Sequence, residues 1–167
     1  MTSQQQQLHD EILEKVREYY QLVHAPAQNA PFEPGVTYLN YGGRVFDERE
    51  MVNLVDSALE FWLTSGRYTR EFERRLAEYL GIQSALLVNS GSSANLLAFM
   101  TLTAPELGER RIARGDEVIT VAAGFPTTVS PLLQYGAVPV FVDVEPETAN
   151  IDVSRLEEAR SDRTRAV

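Results

Sequence analysis

The chain has 167 residues, 44% of them hydrophobic, no cysteine and a formal net charge of −9 at pH 7. The length is near that of one domain. The acidic balance argues against a nucleic-acid backbone or an anionic membrane surface as partner, since both attract clustered Lys and Arg. The lack of Cys excludes a disulfide framework, a thiolate zinc site and a cysteine nucleophile among these residues.

Residues 1–20 lack the apolar core of a signal peptide. No apolar run reaches the roughly eighteen residues of a membrane span. Both point to a soluble cytoplasmic protein. Leu8, Ile12, Val16, Tyr19, Tyr20 and Val23 recur at three- and four-residue steps, which predicts a helix over 8–23. Residues 25–35 carry Pro26, Pro31 and Pro34 and read as a linker or extended arm. Residues 1–35 are therefore set apart from residues 36–167. Asp47 and Glu50 match a capping box and start a second helix, with Met51, Leu54, Val55, Ala58, Leu59 and Trp62 on its apolar face. Thr64-Ser65-Gly66 ends it. A third helix is predicted over 69–80, with Phe72, Leu76, Tyr79 and Leu80 facing inward and Gly81 closing it.

From Ser84 strands and helices alternate. The pattern predicts strands at 85–88, 117–121 and 138–142, and helices over 92–102 and 127–135. Ser154 reads as the cap of a further helix to about Ala159. Arg165-Ala166-Val167 reads as the start of another strand. Apolar strands spaced by helices predict an α/β fold, a mostly parallel sheet with helices on both faces. A domain rarely ends on the first residues of a strand, so an incomplete domain is expected.

Two segments carry candidate chemistry. Ser90-Gly91-Ser92-Ser93 joins a predicted strand to a predicted helix, where backbone N–H groups, hydroxyls and the helix dipole suit an anion. A serine N-cap without any ligand accounts for the same residues equally well. The second segment is Ala122-Ala123-Gly124-Phe125-Pro126-Thr127-Thr128. Its small residues leave room for a flat ring to stack on Phe125. The plainer reading, a core Phe ahead of a helix with Pro at its first position, is favoured on these residues alone. Asp143 is expected to cap the turn after its strand. Arg67 and Tyr68 could line a pocket or lie in solvent. His9 and His24 lack metal-ligand spacing. Of the fifteen Lys and Arg residues, only Lys15 is a lysine.

Taken together, "SGSSANLLA" and "GDEVITVAAGFPTTVSPLLQYGAVPVFVDVEPETANID" resemble the DegT-type family of nucleotide-sugar enzymes. These have fold type I of the pyridoxal-phosphate (PLP) enzymes, with a large α/β domain. The upstream "YGGRVFDEREMVNLVDSALEFWLTSGRYTREFERRLAEYLG" fits as well. The two motifs most resemble the CDP-4-keto-6-deoxyglucose 3-dehydrase branch of lipopolysaccharide O-antigen biosynthesis. The resemblance implies that residues 36–167 are the N-terminal part of the large cofactor domain. It implies PLP or pyridoxamine phosphate (PMP) as cofactor, with Gly91, Ser92 and Ser93 at its 5′-phosphate and Phe125 on its ring. The substrate implied is a nucleotide sugar, a CDP-sugar in this branch, and the complete enzyme a homodimer. The family's pyridine-nitrogen Asp and its catalytic Lys, His in the dehydrase branch, fall beyond the position of Val167. So would the ligands of the branch's iron–sulfur cluster. No catalytic or metal-binding residue is therefore expected here, and the isolated chain is expected to be inactive. A PLP-dependent aminotransferase of the same family, or a non-catalytic fragment binding phosphate or a partner chain, are the other two readings.

Overall fold

In the computed structural model, which describes residues 1–167, the chain packs as two units, Met1–Ala85 and Leu86–Val167. The first helix, α1 (Ser3–Val23), starts five residues earlier than apolar spacing indicates. Thr2 Oγ1 accepts the Gln5 N–H at 3.3 Å and Gln5 Oε1 accepts the Thr2 N–H at 2.7 Å. This capping box fixes a polar first turn that a hydrophobic period cannot register. Gln6–Asp10 and Gln7–Glu11 side-chain bonds then carry the glutamine run as helix. Part of the expected linker is also helical: α2 (Ala25–Gln28) has Pro26 in its first turn, where a missing N–H costs nothing.

The expected capping box of α3 (Glu48–Leu59) is present, with Asp47 as N-cap. The helix stops at Leu59, and Phe61 takes φ +48°. Trp62 therefore leaves the predicted helical face, and its Nε1 donates to the Ser65 carbonyl at 3.0 Å. The next helix, α4 (Arg67–Leu80), ends on Gly81 in the left-handed region, as expected. Its predicted inward residues Phe72, Tyr79 and Leu80 are exposed, whereas Ala77 is buried. Leu54 and Leu59 of α3 are exposed as well. Helical spacing decides which residues share a face; burial requires another element to cover it. In this unit α1 packs along α3. The Tyr20 and His24 rings meet Phe46 at 6.0 and 5.4 Å.

Asp56 of α3 is the polar hub of the same unit. Its Oδ1 lies 2.7 Å from His9 Nε2 on α1, and its Oδ2 accepts from Tyr68 Oη at 2.6 Å and from Arg67 on α4. Arg67 also pairs with Glu60. Burial alone would raise the Asp56 carboxyl. The hydrogen bonds from Tyr68, Arg67 and His9, with the Arg67 charge, outweigh burial and hold it at about 2. The Asp56 bond in turn raises His9 above its usual value, against a smaller opposing effect of burial. The His9 contribution to stability is thus full below about pH 6.5 and lost as pH rises through its raised pKa. The Asp56 contribution is full above about pH 4 and lost as pH falls through its lowered one. The melting temperature of wild type should therefore exceed that of His9→Gln most between about pH 4 and 6.5, with the gap closing at higher pH. A gap constant up to about pH 9 would contradict this linkage.

The second unit is a parallel α/β layer. Strands β1 (Glu117–Val121), β2 (Val138–Val142) and β3 (Thr164–Ala166) form a sheet of order β2-β1-β3. Glu117 pairs with Val138 on one side and with Thr164 on the other. Being central, β1 buries Glu117 to Thr120 without interruption, while β2 at the edge leaves Val138 and Phe141 exposed. Its helices are α5 (Gly91–Leu102), α6 (Pro126–Tyr135) and α7 (Leu156–Ala159). Gly136 closes α6 at φ +93°, a conformation that favours glycine, and the Ala137 N–H returns to the Leu132 carbonyl at 2.9 Å. Phe99, Ile112, Val118, Leu132 and Ala137 make the core. The connection through α6 moves from β1 to β2, and that through α7 returns across β1 to β3. Right-handed crossovers in opposite directions place α6 and α7 on opposite faces.

Two expectations fail in this unit. Residues 85–88 do not join the sheet, and Leu86 is 74% exposed. A short apolar run signals burial, but a strand is defined by ladder partners, and residues 85–88 pair with none of β1, β2 and β3. The cap before α7 is Asp152 rather than Ser154: Asp152 Oδ1 accepts the Ser154 N–H at 3.0 Å, and a 3-10 turn over Val153–Arg155 precedes the helix.

Candidate functional site

Ser90, in extended conformation, is the N-cap of α5. Its Oγ accepts the Ser93 N–H at 3.2 Å and lies 3.2 Å from Ser93 Oγ. The backbone N–H groups of Gly91 and Ser92 and the Ser92 hydroxyl have no protein partner, and the first turn carries no acid. Three donors at the positive end of the helix dipole are thus open to solvent. Gly91 is not among the glycines with positive φ, so backbone conformation does not explain it. A Cβ built at Gly91 would meet no protein atom within 4 Å. Glycine there leaves the helix start bare, and what it admits is close approach from outside.

Phe125 is the N-cap of α6, and its side chain is exposed, with a relative accessibility of 71%. The plainer reading of Phe125 as a core residue is therefore set aside. Gly124 holds its loop against β1: a Cβ there would lie 3.0 Å from Val121 Cγ1. The Ala122 N–H bonds the Val142 carbonyl at 2.8 Å, so the loop leaves the sheet just beyond the ends of β1 and β2. There the chain diverges to opposite faces, the position at which open α/β sheets form a ligand crevice. No hydrogen bond joins the two motifs. They are related through their helices. α5 packs along α6, and Phe99 meets Tyr135 edge to face at 6.0 Å.

The other candidates resolve differently. Asp143 Oδ1 accepts the Val144 N–H at 2.9 Å, the turn cap that was expected. A cavity of about 470 Å³ beside it is lined by Asp143, Arg155 and Glu158 and offers an anion no net positive charge. Arg67 and Tyr68 line a cavity of about 780 Å³ with Glu71 and Arg75. Both arginines are already ion-paired, so the cavity has no free cation. His9 is engaged with Asp56, and His24 sits among Tyr19, Tyr20 and Phe46. No group of three His, Asp or Glu side chains is placed to hold a metal ion. No helix is long and apolar enough to cross a membrane. Sequence reasoning offered a serine cap in this segment without assigning it to Ser90. The available signal was a Ser directly before the helical stretch and three residues ahead of another small polar residue.

The family model of the DegT/DnrJ/EryC1/StrS aminotransferases matches residues 45–167. The chain is 45% identical over 160 residues to the lipopolysaccharide biosynthesis protein RfbH of Salmonella typhimurium, covering 96% of this chain and 36% of that protein. It is 49% identical over 158 residues to the dTDP-4-dehydro-2,6-dideoxy-D-glucose 3-dehydratase of Saccharopolyspora spinosa, covering 95% and 33%. Among solved structures, Escherichia coli GDP-4-keto-6-deoxy-D-mannose-3-dehydratase with bound hydrated PLP superposes with a TM-score of 0.64 at 36% identity, over 73% of this chain and 31% of that one. The chain thus spans about a third of the length of these relatives. A match over most of the chain, with the same fold, makes it a member of the DegT/DnrJ/EryC1/StrS aminotransferase family.

Proposed function

We propose that this chain supplies the phosphate cradle and ring face of a PMP-dependent nucleotide-sugar 3-dehydratase, acting on CDP-4-keto-6-deoxyglucose in O-antigen deoxysugar synthesis. The observation that carries the reading is the bare start of α5: two unpaired N–H groups, the free Ser92 hydroxyl, no acid, and open space at Gly91. A phosphate has only acceptor oxygens to offer when ionised, and this donor set fits it. Gly91, Ser92 and Ser93 would hold the phosphate, and Phe125 would cover one face of the pyridine ring. When bound, PMP brings the amine that engages the 4-keto carbon and a ring that withdraws electrons as the C3–O bond breaks. The role of these residues is to bind and orient it. The reading includes a cytoplasmic homodimer for the complete enzyme.

Preference for the dehydratase rests on the 3-dehydratase names of two of the relatives above. Their names give dTDP and GDP, so the nucleotide is itself part of the proposal. A PLP-dependent sugar aminotransferase is the second reading, favoured by the family's own description. PMP titrated into the chain should bind saturably and be displaced by inorganic phosphate. Binding indifferent to phosphate would overturn the cradle. In a protein of the relatives' full length, a product lacking the C3 oxygen supports the dehydratase. A 4-amino sugar retaining that oxygen supports the aminotransferase.

A further inference from the structure

We infer that Ser90 is a positioning residue that acts on the cofactor phosphate through Ser93. The inference rests on the phosphate-cradle reading above and adds a residue to it. A serine hydroxyl has one proton to give and two lone pairs to offer. Ser90 Oγ spends one lone pair on the Ser93 N–H at 3.2 Å. Its proton lies toward Ser93 Oγ, also at 3.2 Å. Ser93 Oγ then accepts in this contact, and its own proton is left to point outward, as a donor. The opposite arrangement, with Ser93 O–H turned to Ser90, would aim a lone pair at the incoming anion. Phosphate oxygens therefore select the first arrangement, and the two aligned hydroxyls polarise each other.

The choice of cap supports this. Elsewhere the side-chain caps are Asp47 at α3, Asp152 at the turn before α7 and the Thr2 hydroxyl at α1, where no anion site is proposed. Asp and Asn cap a helix as well as Ser does. Asp has no proton to pass on and would add a negative charge beside a phosphate. Asn would present a carbonyl oxygen to the Ser93 N–H, with no proton on that atom. At the start of α5 a hydroxyl alone both caps the helix and orients its neighbour.

The test uses the full chain as wild type, Ser90→Asn, Ser90→Thr, Ser93→Ala and the Ser90→Asn/Ser93→Ala double variant. Each is melted and titrated with PMP. Ser90→Asn should melt close to wild type and bind PMP about tenfold more weakly, the scale of one hydrogen bond to a charged group. Ser90→Thr should restore binding. Ser93→Ala should lose about the same as Ser90→Asn, and the double variant no more than Ser93→Ala alone, because both changes remove one donor. Should Ser90→Asn lower the melting temperature, the cycle measured below that temperature still isolates the coupling. Wild-type affinity in Ser90→Asn, or additive losses in the double variant, would overturn the role of Ser90 and leave the cradle standing. Failure of wild type to bind PMP would instead overturn the cradle, and this inference with it.

Discussion

Borohydride reduction of the chain in the presence of PLP should leave no covalent label on any peptide from Leu86–Val167. A reducible adduct requires a primary amine, and the single lysine of the chain is Lys15. Lys15 lies on α1, its Nζ bonded to Glu18 at 2.6 Å, and that bond with the Glu18 charge raises its pKa. The unit that carries α5 and α6 has arginines only, which do not deprotonate in proteins. Any cofactor held there is held by hydrogen bonds and stacking. Peptide mass spectrometry after reduction reads the result directly. Label at Lys15 or at the N-terminal amine is ordinary surface chemistry. Label within Leu86–Val167 would contradict the assignment.

Replacing Ser92 by alanine should weaken PMP binding by about ten- to a hundredfold, from the roughly 1.5–3 kcal/mol of a hydrogen bond to a charged group. Ser92 is not the cap of α5 and has no partner within the chain, so the melting temperature should scarcely move. Phe125→Ala should weaken PMP severalfold by removing the stacked ring, and leave inorganic phosphate binding unchanged. Its exposure makes the folding cost small; a buried Phe would cost about 3–5 kcal/mol. PMP and phosphate titrations of both variants, each beside a melting curve, separate these effects. Equal PMP affinity in wild type and Ser92→Ala would remove Ser92 from the site. A large fall in the Phe125→Ala melting temperature would return that ring to a structural role.

The range of the interactions decides which features are legible in the sequence. Strands β1 and β2 and helix α6 were predicted within a residue, because local apolar pattern and turn chemistry agree there. Residues 85–88 have the same apolar pattern and form no strand, since pairing depends on chain far away. The Asp56 hub joins positions as distant as His9 and Tyr68, which no local pattern announces. At the candidate site the residue types were legible and their division of labour was not. Only the hydrogen bonds show that Ser90 caps α5 while Ser92 stands free.

The buried carboxylate of Glu117 bears on the order in which the sheet assembles. Ser161 Oγ donates to it at 2.5 Å, Arg163 pairs with it, and the Glu117 N–H bonds the Arg163 carbonyl at 2.9 Å. These contacts hold β3 to the N-terminal end of β1, where the register slips by one residue between Glu117 and Val118. Joining β1 to β2 closes the chain from Glu117 to Val138; joining β1 to β3 closes it from Glu117 to Thr164, about twice the span. Each doubling of a loop adds only about 0.6 kcal/mol of closure entropy. If closure entropy sets the order, the shorter span forms first. β1, α6 and β2 are then a kernel that condenses early. The acid-lined end of β1 is a docking point that accepts β3 late and would be the first part of the sheet to let go.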